Sequence, residues 1–170
     1  ITHTYNAQSA FTHREAGVVG AALLLDEYTC ELICDTIHVS VPAIQILVKN
    51  KPADKLVLIT DAMRAKNLGD TVSELGGQTV YVKNGEARLA DGTLAGSVLK
   101  MNDAVKNMVT KCGVDFCRAI DYASANPAKN LGLSDSLGSI AEGKNASFAV
   151  LDIDFKVLLT VRDGVVIYQA

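Results

Sequence analysis

The sequence predicts an alternating α/β fold, and three observations carry that prediction. Strand-like runs at 1–5, 30–37 and Leu56–Ile59 are interleaved with helix-like runs at 17–25 and 43–49. The run Leu56-Val57-Leu58-Ile59 has no polar member, as a strand covered on both faces of a parallel sheet requires. With 170 residues, 49% of them hydrophobic, the chain can enclose the core of about one domain.

The individual elements follow in order. Residues 1–5 read as the middle of a strand, which for a chain opening on Ile1 leads us to expect that residues precede it. The run 17–25 reads as a buried helix. Ser40 as N-cap and Pro42 in the first turn introduce a helix over 43–49. Residues 78–89 form a hairpin around Asn84-Gly85, a pair suited to the positive φ angles of a type I′ turn. A helix is expected over 97–112, with Val98, Met101, Val105, Met108 and Val109 on one stripe and Gly113 as its stop. A second helix over 115–123 breaks near Asn126-Pro127. Strands at 147–153, 156–161 and 165–168 close the chain, the last two joined through Asp163-Gly164. Helices give way to strands between Gly138 and Gly143, which divides the chain into 1–142 and 143–170.

Charge and composition exclude several functions. Sixteen Lys and Arg against nineteen Asp and Glu give a net charge of −3, with no basic block and no Trp, so a nucleic-acid-binding surface is not expected. The longest uncharged apolar run, residues 16–25, is half the roughly 20 residues of a bilayer span, and the start lacks a signal-peptide pattern. Cys30, Cys34, Cys112 and Cys117 lack zinc-knuckle spacing and are expected to be buried free thiols in a reducing cytoplasm.

His3, His38 and Asp61 fall at or near the carboxyl ends of three successive predicted strands, where catalytic groups converge in a parallel (β/α) barrel. Two imidazoles and a carboxylate there can bind a divalent metal, activate its water and move protons. Asp61 reads as a general base, with capping of the following segment as the alternative. Residues 91–97 are expected to run into a helix N-terminus and offer backbone to a polar ligand. His13-Arg14 is expected to begin a helix, with Arg14 available to a phosphate.

Seven strings occur in order along the chain: Thr2-His3-Thr4-Tyr5-Asn6-Ala7, Arg14-Glu15-Ala16-Gly17, Asp35-Thr36-Ile37-His38-Val39, Thr60-Asp61-Ala62-Met63-Arg64-Ala65-Lys66, Asp91-Gly92-Thr93-Leu94-Ala95-Gly96-Ser97, Ser124-Ala125-Asn126-Pro127-Ala128 and Gly138-Ser139-Ile140-Ala141-Glu142-Gly143-Lys144. Together they resemble the N-acetylglucosamine-6-phosphate deacetylase family of the amidohydrolase superfamily. The resemblance implies a metal-dependent (β/α)8 TIM barrel with a small β-sandwich. This chain would supply barrel strands six to eight, the closing helices and the C-terminal sandwich strands.

By the same resemblance His3 is a ligand of a divalent metal, zinc or iron, whose remaining ligands lie upstream. Asn6 and Ala7 contact the sugar, Arg14 the phosphate, and His38 polarises the acetamide. Asp61 accepts and donates the proton, and Leu94, Ala95 and Gly96 close over the substrate. The resemblance also implies a small phosphosugar substrate, a homodimer of the complete protein, and little activity or metal binding for these 170 residues alone. Gln8 stands where the family usually has Met, Thr36 where it has Gly, and Ser40 where a second His is common. Asn145 and Ser147 replace frequent acidic residues. A dihydroorotase-like or imidazolonepropionase-like hydrolase, a non-catalytic half-barrel module and a truncated product remain as alternatives.

Overall fold

The computed structural model describes residues 1–170. Strands β1 (Cys30–Ile33) and β2 (Leu56–Ile59) pair in parallel, with Cys30 opposite Leu56 and Ile33 opposite Ile59. Helix α2 (Val41–Asn50) connects them and turns Ile44 and Leu47 inward. β2 buries Leu56, Val57 and Leu58, as its all-apolar sequence predicts. On the other side of β1, Ile1 N–H donates to Thr29 O (2.7 Å) and Glu31 N–H donates to Ile1 O (2.9 Å). That alternation is the parallel pattern. Residues 1–4, β1 and β2 therefore run side by side in one direction, and α1 (Gly17–Leu24) lies between the first two in sequence.

Several boundaries differ from expectation for identifiable reasons. The expected strand over 1–5 ends at once, because His3 (φ 31°), Tyr5 (φ 79°) and Ala7 (φ 52°) adopt left-handed backbone. β1 stops at Ile33 instead of continuing to residue 37, because the Asp35 carboxylate gathers the N–H groups of Ile37 and His38 into a tight turn. α2 starts at Val41, and the Ser40 side chain makes no capping bond, leaving Pro42 in the first turn as the start signal. The loop holding His13 and Arg14 is not helical, since α1 begins only at Gly17.

A second sheet comprises β3 (Thr71–Leu75), β4 (Gln78–Lys83) and β5 (Glu86–Arg88), all antiparallel. Asn84 (φ 53°) and Gly85 (φ 79°) make the expected turn between β4 and β5. β3 was not anticipated. Its signal is Gly76-Gly77 (φ 58° and 81°), a second two-residue turn that sets Leu75 opposite Gln78. This sheet encloses a small core of Met63, Ala65, Val80, Val82, Ala87 and Ala95.

Helix α3 (Met101–Thr110) buries Ala104, Val105 and Met108. It starts four residues later than expected because Ser97 is engaged in a bridge with Ala62. Its end at Gly113 (φ 73°) is closed by Val114 N–H donating six residues back to Met108 O (3.0 Å), with the glycine supplying the left-handed turn. α4 (Phe116–Ala123) is capped by Asp115, which accepts from Arg118 N–H (3.1 Å). The break falls at Ser124, and Pro127 lies inside α5 (Ala125–Asn130). All three helices pack on β2, and Asn126 Nδ2 donates to Ala53 O and Leu56 O (both 2.8 Å). Met108 and Tyr122 join Leu32, Ile33, Leu56 and Leu58 in the main core. Cys30, Cys34 and Cys112 are buried free thiols, but Cys117 is exposed, because α4 turns Ala119 and Tyr122 inward.

Strands β6 (Phe148–Leu151), β7 (Val157–Arg162) and β8 (Val165–Gln169) form an antiparallel sheet with a turn at Asp163 (φ 49°) and Gly164 (φ 80°). Phe155 ties it to the helices: its ring lies 6.0 Å from that of Phe116, and its carbonyl accepts from Asn102 Nδ2 (3.0 Å).

Gly138 marks the tightest approach in the connection between α5 and β6. Its φ is +89°, and an added Cβ would sit 2.7 Å from Ala128 Cβ and 3.2 Å from Ser124 O. Gly138→Ala is expected to cost about 1–3 kcal/mol through backbone strain alone, with steric cost added. Gly132→Ala, at φ +70° with open space around it, supplies the control. Thermal unfolding of the two variants should show the larger loss at Gly138.

Candidate functional site

Three adjacent chain segments leave the parallel sheet at the same end. Continuing the register of Ile33 with Ile59 brings Asp35 level with Asp61. On the far side of β1, a regular ladder would have residue 3 donate to Glu31 O. Instead Thr4 N–H makes that bond (2.8 Å), and His3 bulges out with left-handed φ. His3, His38 and Asp61 thus sit beyond neighbouring strand positions. Non-glycine residues at positive φ recur there: His3 (31°), Ala7 (52°), Thr36 (66°) and Asp61 (48°). Such backbone costs of order 1–3 kcal/mol per residue and persists where surrounding bonds enforce it.

Those bonds are identifiable. At His3, ring Nδ1 lies 3.0 Å from Asn6 O, so Nδ1 carries the proton and Nε2 is left with its lone pair. Asn6 returns N–H to His3 O (2.9 Å), and its Nδ2 lies 3.3 Å from His3 O and Thr4 O. The Asn6 amide nitrogen therefore stabilises the turn, and its oxygen makes no hydrogen bond within the chain. Ala7 is exposed.

The carboxylate of Asp35 has two separate tasks. Oδ1 accepts from Ile37 N–H and His38 N–H, both at 2.8 Å, and Oδ2 accepts from His38 Nδ1 at 2.6 Å. Both side chains are about nine-tenths buried. Burial pushes the Asp35 carboxyl up, but hydrogen bonds from the His38 ring and from the two backbone N–H groups outweigh it. The carboxyl is therefore held below the ordinary Asp value. Asp35 was not singled out from the sequence as a site residue, although an Asp three residues before a strand-end His is the available signal.

Asp61 is exposed, and its carboxylate accepts no hydrogen bond, so it does not cap the segment that follows. Its backbone is fixed instead. Ser97 N–H donates to Asp61 O (3.1 Å), Met63 N–H donates to Ser97 O (2.9 Å), and Ser97 Oγ donates to Thr60 O. Ser97 Oγ also accepts from Leu99 N–H (3.1 Å). Ser97 is the second residue that sequence reading missed, since its role depends on a contact across 36 positions of chain.

Residues 91–97 do not lead directly into a helix N-terminus, contrary to expectation, because α3 begins at Met101. The segment runs along β5 instead: Ala95 N–H donates to Ala87 O (2.9 Å), and Leu94 bridges Arg88. Leu94 is half-buried, Ala95 is buried, and Gly96 has φ 75°. Arg14 is exposed in the loop before α1 and forms no ion pair.

The free Nε2 of His3, with Nδ1 committed to a backbone carbonyl, is the arrangement of a metal-ligating histidine. It fits one ligand position. No group of three His, Cys, Asp or Glu side chains in the chain forms a cation site. The exposed, unbonded Asp61 carboxylate can accept a proton, and His38 can hold a polar atom through Nε2.

The amidohydrolase family model matches residues 3–167. The N-acetylglucosamine-6-phosphate deacetylase of Bacillus subtilis (strain 168) is 45% identical over 164 residues, covering 96% of this chain and 41% of that protein. The putative N-acetylgalactosamine-6-phosphate deacetylase of Escherichia coli (strain K12) is 43% identical over 150 residues, 88% of this chain and 89% of that protein. The crystal structure of N-acetylglucosamine-6-phosphate deacetylase from Thermotoga maritima superposes with a TM-score of 0.93 at 42% identity, covering 100% of this chain and 47% of that one. The chain therefore spans less than half the length of the Bacillus and Thermotoga proteins.

Two outcomes are expected from the site's turns. Thr36 is β-branched at φ 66°, and its Oγ1 accepts only an exposed bond from Lys111 Nζ (3.2 Å). Thr36→Gly should release the strain and raise stability by about 1 kcal/mol, net of the entropy glycine adds to the unfolded chain. Urea denaturation measures this, and a loss of stability would refute it. Asp35 has a lowered folded pKa, so its contribution is complete above the ordinary Asp value of about 3.9 and disappears as pH falls through the folded value. The stability gap between wild type and Asp35→Asn, followed by denaturant midpoint from pH 6 to 2, should narrow below about pH 4.

Proposed function

The chain belongs to the amidohydrolase family, and on that premise we propose that the complete protein hydrolyses the acetamide of N-acetylglucosamine 6-phosphate to glucosamine 6-phosphate and acetate. The observation that carries this reading is the shared exit of His3, His38 and Asp61 from one end of a parallel sheet, beside relatives named for that reaction. In this reading residues 1–142 are barrel strands six to eight with their closing helices, and 143–170 are strands of a small β-sandwich. The catalytic face is then the end where the strands terminate.

Asp61 takes a proton from the attacking water as the new C–O bond forms. It returns a proton to the amine nitrogen as the C–N bond breaks. Its exposed and unbonded carboxylate on a fixed backbone suits a group that must meet two partners in turn. His38 holds the acetamide oxygen through Nε2. Asn6 and Ala7 meet the sugar, and Leu94, Ala95 and Gly96 cover it. Arg14, uncommitted within the chain, binds the phosphate and so orients the acetamide. His3 Nε2 would hold a divalent cation, zinc or iron, together with residues from outside this chain. That cation supplies Lewis-acid polarisation and acidifies water. A cytoplasmic homodimer is the proposed setting, and no helix of the chain is long and apolar enough to cross a membrane.

The E. coli relative named for the galactosamine epimer, at 43% identity, favours N-acetylgalactosamine 6-phosphate as the second reading. Amine release by the complete protein from both phosphosugars and from unphosphorylated N-acetylglucosamine separates these readings. Activity on N-acetylglucosamine 6-phosphate, with little on the other two, is the expected result. In the same assay Asp61→Asn should lower kcat by several orders of magnitude, and a loss of only a few-fold would remove Asp61 from its role.

A further inference from the structure

Cys34 and Cys112 take no part in the proposed hydrolysis, yet the fold brings their sulfurs together. Cys34 follows β1 directly, and Cys112 lies just past the end of α3. Two side chains of the helix bracket Cys34: Asn107 Nδ2 donates to Cys34 O (2.9 Å), and Lys111 Nζ donates to Thr36 Oγ1 (3.2 Å). Between these ties the Cys34 thiol donates to the sulfur of Cys112. Cys34 is wholly buried in the main core, whereas Cys112 keeps 5% of its surface exposed. The other two thiols are placed differently. Cys30 Sγ donates to Ala22 O (3.9 Å), and Cys117 is exposed on α4. The bond between the paired thiols gives them unlike chemistry. Accepting from Cys34, beside the charge of Lys111, draws Cys112 below the ordinary thiol value. Donating that bond, together with burial, pushes Cys34 well above it. Cys112 is therefore the sulfur that more readily becomes thiolate, and it is also the one a small solute can reach.

We propose that Cys34 and Cys112 form an oxidation site for a small peroxide, closing to a disulfide that joins the end of β1 to the end of α3. The Cys112 thiolate attacks one oxygen of hydrogen peroxide and the O–O bond breaks. Hydroxide leaves, takes up the proton that Cys112 had released and becomes water, and Cys112 carries a sulfenic acid. The Cys34 sulfur then attacks the Cys112 sulfur. The S–O bond breaks, and the hydroxyl departs as a second water with the Cys34 proton. Two thiols lose two electrons in all, and one peroxide becomes two waters. A dithiol reductant reverses the change by thiol–disulfide exchange. In a reducing setting such a bridge is transient, formed under oxidant and then removed. It adjoins Asp35, whose carboxylate holds the turn that carries His38. The thiol chemistry is independent of which substrate the protein hydrolyses.

The test adds hydrogen peroxide to the folded, fully reduced complete protein. Acid then stops exchange, the remaining thiols are blocked with N-ethylmaleimide in denaturant, and the digest is read by mass spectrometry. The peptides of Cys34 and Cys112 should be joined with the loss of two hydrogens and should separate again in dithiothreitol. Cys30 should be recovered as a blocked thiol. Cys34→Ser removes the second sulfur, so the sulfenic acid should persist on Cys112 and be captured by dimedone, in a variant whose circular-dichroism spectrum matches the wild type. Recovery of both Cys34 and Cys112 as blocked thiols, after the exposed Cys117 has been oxidised, overturns the proposal. So does dimedone capture on wild-type Cys112 at the level seen in Cys34→Ser, because Cys34 would then not be closing the bridge. If Cys34→Ser does not fold, the wild-type peptide map decides alone.

Discussion

The parallel alignment of residues 1–4, β1 and β2 is the constraint on which the rest of the structure depends. Backbone bonds fix Ile1 between Thr29 and Glu31 and set Ile33 opposite Ile59. Because the three segments run the same way, their ends fall together, and so do the loops that follow. Antiparallel pairing would have sent His38, which follows β1, to the opposite end of the sheet from His3 and Asp61. The helices reinforce this arrangement more than they create it. α3, α4 and α5 cover β2, and Asn126 fastens α5 to the strand's first residue.

The loops themselves are ordered by a few polar contacts. Beyond the strand ends the left-handed residues are held by hydrogen bonds that satisfy the turning backbone. Asp35 supplies acceptors to its own turn. Ser97 supplies both donor and acceptor to the segment around Asp61 from another part of the sequence. The carboxylate of Asp61 is left out of this network. A proton-transfer group bonded within the chain would have to break that bond before reacting, so its freedom is consistent with a role at the substrate.

Much of this fold was legible in the residues. β2, the Asn84-Gly85 turn and the end of α3 at Gly113 appear where apolar runs and glycine chemistry place them. What was not legible involves competition between local and distant partners. Periodicity extended β1 to residue 37, but a side-chain carboxylate took the backbone N–H groups the strand would have used. The pattern began α3 at Ser97, whose hydrogen bonds go to the Asp61 loop instead. β3 is mostly exposed, so its sequence lacks the apolar alternation of a half-buried strand, and only Gly76-Gly77 betrays it. The strand-end positions of His3, His38 and Asp61 followed from the order of elements. Asp35 and Ser97 act on those residues through contacts, and a linear pattern does not record contacts.

Left-handed backbone at His3, Ala7, Thr36 and Asp61 falls at or beside the candidate site, and one cause accounts for its recurrence there. A side chain beyond the end of a strand can point across the sheet end only if the backbone turns sharply, and left-handed φ provides that turn in a single residue. Glycine would make it at lower energy, but it would bring no functional group and less rigidity. His3 and Asp61 therefore combine the turn with the side chain that needs it. At Thr36 the turn serves the neighbouring Asp35 and His38, so Thr36 itself contributes strain without supplying a reactive group. Strain at His3 and Asp61 thus falls on the residues proposed to act, whereas strain at Thr36 can be relieved without touching them.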